Sequence, residues 1–170
     1  MKKQLSHQQS RFNKRECPII LILDNVSGEA NIGSIFRLAD AFGIEKVIFC
    51  GNFPNLTSNR LKRTARNTHE YVRFEVFEQT KEAVEKYKDE SYIPFALEIT
   101  AESVAIESID FSEFSKISLV IGNEANGIQE EILSLCNKVF HIEMFGNNSS
   151  MNVAQATAIA LYEIRKSIQL

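Results

Sequence analysis

Six short apolar segments recur along the chain at intervals typical of strands that alternate with helices. They are PIILILD at 18 to 24, KVIFCG at 46 to 51, RFEVF at 73 to 77, YIPFALE at 92 to 98, ISLVIG at 117 to 122 and KVFHIE at 138 to 143. Several are continuously apolar rather than alternating, which is typical of parallel strands covered on both faces. The pattern predicts that these segments form a mainly parallel sheet.

The segments between the strands show the periodicity of amphipathic helices. In NIGSIFRLADAFG, apolar residues from Ile32 to Phe42 fall on one face, and Gly43 follows as a helix stop. TKEAVEKYKDE and IQEEILSLC have the same character, and a last helix is predicted from about Met151 to Ile168. The predicted fold class is therefore α/β, with a mainly parallel sheet and helices on both faces.

Length and composition predict a single domain over residues 17–170, preceded by a basic flexible arm at 1–16. No segment has the roughly 18 uninterrupted apolar residues of a membrane span, and the N-terminal stretch lacks the apolar core of a secretory signal. A cytoplasmic protein without a membrane partner is expected. Cys17, Cys50 and Cys136 form no CxxC pair, so we expect buried thiols and no metal site.

The basic residues are segregated along the chain, although the formal net charge is −3. Residues 1–16 and 60–73 each carry five basic side chains against one acidic one, whereas residues 75–131 are strongly acidic. A surface that binds a polyanion requires such segregation, and a solvated face with a disordered tail is the alternative. The candidate polyanion-binding residues of the second stretch are Arg60, Lys62, Arg63, Arg66 and Arg73.

Three polar loops follow predicted strands at their carboxyl ends, where ligands bind in open α/β sheets. They are NVSGEANIGSIFR, NEANGIQ and MFGNNSSMN. Each combines Gly with Asn, Glu or Ser beside a helix start, where backbone N–H groups are available to an anion or a carbonyl. These loops lack GK[ST], GxGxxG, HExxH and GxSxG, which argues against a P-loop, a dinucleotide fold, a zinc protease and a serine hydrolase.

Single residues in these loops also have purely structural interpretations. Asn31 and Ser150 are of the residue type that caps helices, and Glu124 is compatible with a solvated carboxylate at a helix entry. Arg37 is compatible with an ordinary surface residue, and Asn152 with an incidental residue in a first turn. Three such loops at one sheet edge nevertheless favour a common site.

Taken in order, the three loops resemble the signature motifs of the SpoU, or TrmH, branch of the SPOUT RNA methyltransferases. The first motif carries an Asn and, six residues later, an Arg. The second is an apolar strand followed by G-x-E-x-x-G, and the third is I-P-M-x-G, a short spacer and S-L-N-V. The matching residues of the first two motifs are Asn31, Arg37, Gly122, Glu124 and Gly127.

The third motif, here IEMFGNNSSMNV, departs from the family pattern at two positions. Glu143 stands in place of the family's Pro, which removes a fixed φ and restores a backbone N–H. Met151 stands in place of Leu and conserves the side-chain volume. Neither change affects the polar residues of the motifs.

The resemblance implies a deep trefoil knot at the C-terminal end, a homodimer and S-adenosylmethionine bound in the knot. The implied reaction is methyl transfer to a ribose 2′-oxygen of RNA. The five basic residues of the stretch 60–73 are then the predicted RNA-binding residues. Since no separate RNA-binding domain is visible, tRNA is favoured over rRNA. The implied catalytic residues are Arg37, Asn31, Glu124, Ser150 and Asn152, and the implied cofactor contacts are Leu97, Ile121, Gly122, Ile142, Met144 and Met151.

The family mechanism gives the role of base to the arginine of the first motif, here Arg37. Removing a proton from a guanidinium at neutral pH costs roughly 7.5 kcal/mol. We therefore favour Arg37 as a bidentate phosphate ligand that stabilises charge on the 2′-oxygen, with the proton passing to phosphate or water. The alternatives are a catalytically silent RNA-binding protein, a methyltransferase that acts on a base nitrogen, and a nucleotide-binding protein unrelated to RNA.

Overall fold

The computed structural model describes residues 12–168. Most of the predicted arm, residues 1–11, and the last two residues of the predicted domain lie outside the described residues. Within that range seven strands form one parallel sheet in the order β3-β2-β1-β6-β4-β7-β5. The strands are β1 Cys17–Asp24, β2 Ile44–Cys50, β3 Phe74–Phe77, β4 Ile93–Leu97, β5 Val104–Ala105, β6 Ile117–Ile121 and β7 Lys138–His141.

Five α-helices connect or follow these strands within the described residues. They are α1 Glu29–Phe42, α2 Asn59–Ala65, α3 Thr80–Asp89, α4 Glu130–Leu135 and α5 Val153–Ser167. Three short 3-10 helices lie at Thr68–Glu70, Ile106–Ser108 and Phe111–Glu113. No described helix has both the length and the apolar character needed to cross a membrane.

The predicted fold class is confirmed, and each of the six predicted strands is present with bounds that differ by no more than two residues. Besides the three short 3-10 helices, one strand and one α-helix of the described residues were not predicted. Strand β5 has only two residues, and α2 is a basic helix in which only Leu61 and Ala65 are buried. Neither element has the run of apolar residues that sequence patterns detect. The knot stays a prediction from the resemblance.

The sheet separates two apolar cores because successive residues of a strand face opposite sides. Ile19, Leu21 and Leu23 of β1 pack with residues of α1 and α5. Ile20 and Ile22 pack with residues of α3 and α4 on the other side. Both faces of β1 are therefore covered, which explains why its sequence is continuously apolar.

The strand register places the ends of four strands at one level. Leu23 pairs with Ile121, Ile121 pairs with Leu97, and Leu97 pairs with Phe140. The chain leaves β1 toward β2 on one side, whereas β6 lies on the other, so the connections diverge at this point of the sheet. Such a divergence opens a crevice at the carboxyl ends of the strands.

Helix α2 lies close against α1 because Gly33 has no side chain. A Cβ atom at this position would lie 2.1 Å from Thr64 Oγ1 and 2.5 Å from the Leu61 carbonyl oxygen. Ser58 caps α2 and also donates its hydroxyl to Glu29 Oε2 at 2.6 Å. The two helices therefore start at the same edge of the sheet.

We expect Gly33→Ala to lower the free energy of unfolding by about 1 to 3 kcal/mol because the added methyl group overpacks the α1–α2 contact. This loss should appear even though alanine favours a helix over glycine by about 1 kcal/mol. Urea denaturation measures it. The matched control is Gly146→Ala, where an added Cβ meets nothing within 4 Å. Unchanged or increased stability of Gly33→Ala would contradict the close contact.

Candidate active site

The loops after β1 and β6 are joined by hydrogen bonds at the crevice. Asn123 donates from Nδ2 to the Asn25 carbonyl oxygen at 2.8 Å. The Asn123 side chain also accepts from the backbone N–H groups of Ala125 and Asn126, at 2.9 Å and 3.1 Å. These bonds shape the turn that carries Glu124 and hold it against the loop that leads into α1.

The carboxylate of Glu124 accepts hydrogen bonds from the first motif. Asn31 Nδ2 donates to Glu124 Oε1 at 2.7 Å, and the Gly28 N–H donates to the same oxygen at 3.2 Å. Partial burial acts to raise the pKa of Glu124, but the bonds from Asn31 and nearby backbone N–H groups outweigh it, so the pKa is lowered. A Cβ at Gly28 would lie 2.5 Å from that oxygen. The carboxylate thus occupies the space that a side chain at position 28 would need, and a larger residue there would displace it.

Asn152 connects the third motif to the same network. Its Nδ2 donates to Asn31 Oδ1 at 2.9 Å. Its Oδ1 accepts from the N–H groups of Ala154 and Gln155, at 3.0 Å and 3.3 Å, and thereby caps α5. Asn31 thus uses both ends of its amide, one toward Glu124 and the other toward Asn152.

The structural alternatives considered for the capping residues were wrong. The cap of α5 is Asn152 rather than Ser150. The residue at the start of α1 is Gly28, which makes no side-chain cap, and Asn31 lies in the first turn. An asparagine and a serine cap helices about equally well, so residue type alone does not distinguish Ser150 from Asn152.

A cavity of about 580 Å³ opens beside this network. Its volume lies within the range of about 300 to 1,000 Å³ that is usual for small-molecule sites. Residues from the ends of β4, β6 and β7, from the third-motif loop and from the start of α5 line it. The lining includes all six predicted cofactor contacts and three predicted catalytic residues: Leu97, Ile121, Gly122, Ile142, Met144, Met151, Glu124, Ser150 and Asn152.

Arg37 lies apart from this network. It is exposed on α1, does not line the cavity, and forms no ion pair or side-chain hydrogen bond with any residue from 12 to 168. Six residues correspond to about 9 Å along a helix, so Arg37 stands well over one turn beyond Asn31. The guanidinium is therefore available to a group that is not part of the described chain.

Three polar residues that line the cavity were not among the predicted site residues: Glu98, Asn123 and His141. Glu98 follows Leu97 at the end of β4, and His141 ends β7. His141 Nδ1 lies 2.8 Å from Ser103 Oγ, which in turn donates to the Thr100 carbonyl oxygen at 2.9 Å. The rule that led to the other loops, polar residues after a strand end, also applies to Glu98.

Four of the five predicted RNA-binding residues lie together on or next to α2, where all are exposed: Arg60, Lys62, Arg63 and Arg66. Arg73 lies outside this helix, just before β3. It donates from Nε to the Glu45 carbonyl oxygen at 3.1 Å and forms an ion pair with Glu16. The basic residues of the stretch 60–73 therefore lie at two separate places, one at α2 and one just before β3.

The cysteines lie away from the cavity lining. Cys17 and Cys50 are buried and Cys136 is partly buried, all as free thiols. Burial raises the pKa of Cys50 and of Cys136 to about 12, so both thiols are protonated at neutral pH. Among residues 12–168 no group of three or more His, Cys, Asp or Glu side chains is arranged to hold a metal ion.

Proteins with similar sequences are methyltransferases, in agreement with the predicted function of the site. A model of the SpoU rRNA methylase family matches residues 18–162. The chain is 27% identical over 166 residues to the tRNA (guanosine(18)-2′-O)-methyltransferase of Aquifex aeolicus, covering 98% of this chain and 77% of that protein. It is 25% identical over 146 residues to the 23S rRNA (guanosine(2553)-2′-O)-methyltransferase RlmP of Bacillus subtilis, covering 86% and 57%.

Solved structures give the same result. The fold matches an AdoMet-bound rRNA methyltransferase from Sinorhizobium meliloti with a TM-score of 0.80 and 25% identity, covering 94% of this chain and 60% of that one. The chain belongs to the SpoU rRNA methylase family. The predictions of an RNA ribose methyltransferase and of its cofactor, S-adenosylmethionine, are confirmed at the level of the family. The roles of single residues stay predictions.

We expect Asn152→Ala to lower the free energy of unfolding by about 0.5 to 2 kcal/mol because α5 loses its cap. Asn152→Ser should recover most of this stability, since a hydroxyl caps well. The serine side chain is too short to reach Asn31, so this variant loses only that bond. Urea denaturation and a methyl-transfer assay on both variants separate the two roles. Full activity of the stable serine variant would show that the bond to Asn31 is dispensable.

Proposed function

We propose that this chain acts as a homodimer that transfers a methyl group from S-adenosylmethionine to a ribose 2′-hydroxyl, with tRNA as the favoured substrate. One observation carries the proposal: Asn31, Glu124 and Asn152, one from each motif, form a continuous hydrogen-bonded network beside the cavity. Each could be structural alone. Their convergence at the edge of a ligand-sized cavity supports a common catalytic site.

The cavity suits the cofactor because its lining combines apolar side chains with backbone at three strand ends. Leu97, Ile121, Ile142 and Met151 offer apolar surface to the adenosine. Gly122 also lines the cavity, and a Cβ there would lie 2.4 Å from the backbone of Gly127, so glycine allows the second-motif loop to pack closely behind the cavity wall. Bound S-adenosylmethionine supplies an electrophilic methyl group on a sulfonium. The residues of the chain then have to hold the ribose hydroxyl in line with that methyl group.

Transfer would break the sulfur–methyl bond, whose electron pair would stay on sulfur, and would form the bond between the methyl carbon and the 2′-oxygen. The hydroxyl proton would leave to a phosphate oxygen or water. Arg37 would hold the substrate phosphate through two N–H groups and stabilise negative charge that develops on the 2′-oxygen. Its exposure and its lack of partners among residues 12–168 leave those N–H groups available.

The amide network would position rather than react. Glu124 fixes the orientation of the Asn31 amide, and Asn31 in turn holds Asn152. This arrangement keeps the start of α1 and the start of α5 at a constant separation. Ser150 lines the cavity two residues before Asn152 and would stabilise the third-motif loop around the ligand.

The proposed dimer and RNA path are supported by exposed side chains. Ile159 and Tyr162 on α5 are 39% and 60% exposed and lie three residues apart, hence on one side of the helix. The basic residues lie on or next to α2, which starts near Glu29 at the same edge of the sheet as the cavity. Some relatives are named as tRNA methyltransferases. The cytoplasmic location stays a prediction.

We expect Arg37→Ala to reduce methyl transfer by about 10² to 10³-fold, because one stabilising donor for developing charge is lost. The test follows labelled methyl from S-adenosylmethionine into unmodified tRNA and, separately, rRNA, with nuclease digestion and identification of the nucleoside. A 2′-O-methylnucleoside that disappears in the variant would support the proposal. A methylated base would refute the ribose assignment.

Arg37→Lys provides the matched control because it keeps the positive charge and loses the fork of N–H groups. If phosphate is held bidentately, the lysine variant should lose most of the activity. Near-normal transfer by Arg37→Lys would contradict bidentate binding. Cofactor binding without transfer to any RNA would favour the catalytically silent RNA-binding protein.

We expect the double variant Arg60→Ala and Arg63→Ala to bind tRNA more weakly and with a smaller dependence on salt. Each phosphate contact that is lost should reduce the slope of log affinity against log salt by about 0.7 to 0.9. Fluorescence anisotropy at several salt concentrations measures the slope. Lys138→Ala is the control, since Lys138 is exposed at the start of β7, at the amino ends of the strands, whereas α2 starts at their carboxyl ends. An equal effect of both changes would disprove a path over α2.

A further inference from the structure

Glu98 is a carboxylate held rigidly in the wall of the cavity. Its Oε1 accepts the N–H of Ile99 at 2.9 Å, and its Oε2 accepts the N–H of Ile128 at 3.0 Å. The side chain is partly buried and lines the cavity. Two backbone donors fix the direction of the carboxylate.

The second-motif loop is shaped to accept this carboxylate. Gly127 has a φ of +67°, and a Cβ atom there would lie 2.5 Å from Glu98 Oε2. The loop backbone and the carboxylate therefore pack against each other without an intervening side chain. Glu98 has a fixed position relative to Gly122 and Glu124, which lie in the same loop.

The charges in the cavity wall are unbalanced. Among residues 12–168 the lining contains two carboxylates, Glu98 and Glu124, one histidine, His141, and no lysine or arginine. Glu124 is bound to Asn31 and backbone N–H groups, which are neutral. No lysine or arginine among residues 12–168 forms an ion pair with Glu98. A cationic ligand would supply the positive charge that the described lining lacks.

We propose that Glu98 makes the cavity discriminate between the sulfonium cofactor and its thioether product. This inference rests on the proposed function, because it takes the cavity as the cofactor site. Methyl transfer removes the positive charge from sulfur, so S-adenosylhomocysteine carries one positive charge fewer than S-adenosylmethionine. A fixed carboxylate in a partly buried wall attracts the first ligand more than the second. Loss of this charge thus lowers the affinity of the cavity for the product and reduces product inhibition.

The test compares the dissociation constants of S-adenosylmethionine and S-adenosylhomocysteine by calorimetry for the full chain and for Glu98→Gln. We expect the variant to bind S-adenosylmethionine about tenfold more weakly and S-adenosylhomocysteine less than about twofold more weakly. The ratio of the two constants is the readout, because a general distortion of the cavity weakens both ligands alike.

Two further variants sharpen the result. Glu98→Asp keeps the charge, so it should keep a ratio closer to that of the unaltered chain even if both affinities fall. Glu102→Gln removes a carboxylate from the same loop, but Glu102 is exposed and does not line the cavity, so both constants should stay unchanged.

The outcomes separate this inference from the proposed function. Equal weakening of both ligands by Glu98→Gln would mean that Glu98 holds a part they share, such as the ribose hydroxyls, and would overturn discrimination by charge. An unchanged ratio and unchanged affinities would overturn it as well. If the unaltered chain binds neither ligand, the proposed function itself fails.

Discussion

The amide of Asn31 is the interaction on which the candidate site depends. It donates to Glu124, 93 residues away in sequence, and accepts from Asn152, 121 residues away. A carboxylate at this position would lose the donor, and a hydrocarbon would lose both bonds. Since Asn152 also caps α5, a single amide links the start of two helices and the turn after β6.

That amide meets its partners only because the sheet brings their loops together. β1 and β6 are neighbours in register, so the loops that follow Leu23 and Ile121 leave the sheet at one level. β4 and β7 continue the same level on the other side and supply the wall of the cavity. The apolar cores on the two faces of the sheet therefore determine the site indirectly, through the positions of the strand ends.

Sequence patterns predicted the features that depend on local chemistry. Continuous apolar runs identified the strands, and the position of polar residues after them identified the loops. Helix α2 was missed because its stability comes from a tertiary contact, the approach of Leu61 and Thr64 to Gly33, rather than from its own apolar face. Arg73 was grouped with the basic residues of α2 by proximity in sequence, although its partners in space are Glu16 and Glu45. Such contacts follow from the fold and leave no local pattern.

The polar residues of the site differ in what else they do for the molecule, and this difference has an evolutionary consequence. Asn31, Glu124 and Asn152 hold loops and a helix in place, so selection for folding alone would preserve them in a descendant that no longer acts on RNA. Arg37 holds no other part of the described chain in place. It would be the first of these residues to drift once activity ceased to matter. Within a set of related chains, the identity of the residue at position 37 is therefore a better marker of a working enzyme than the amide network.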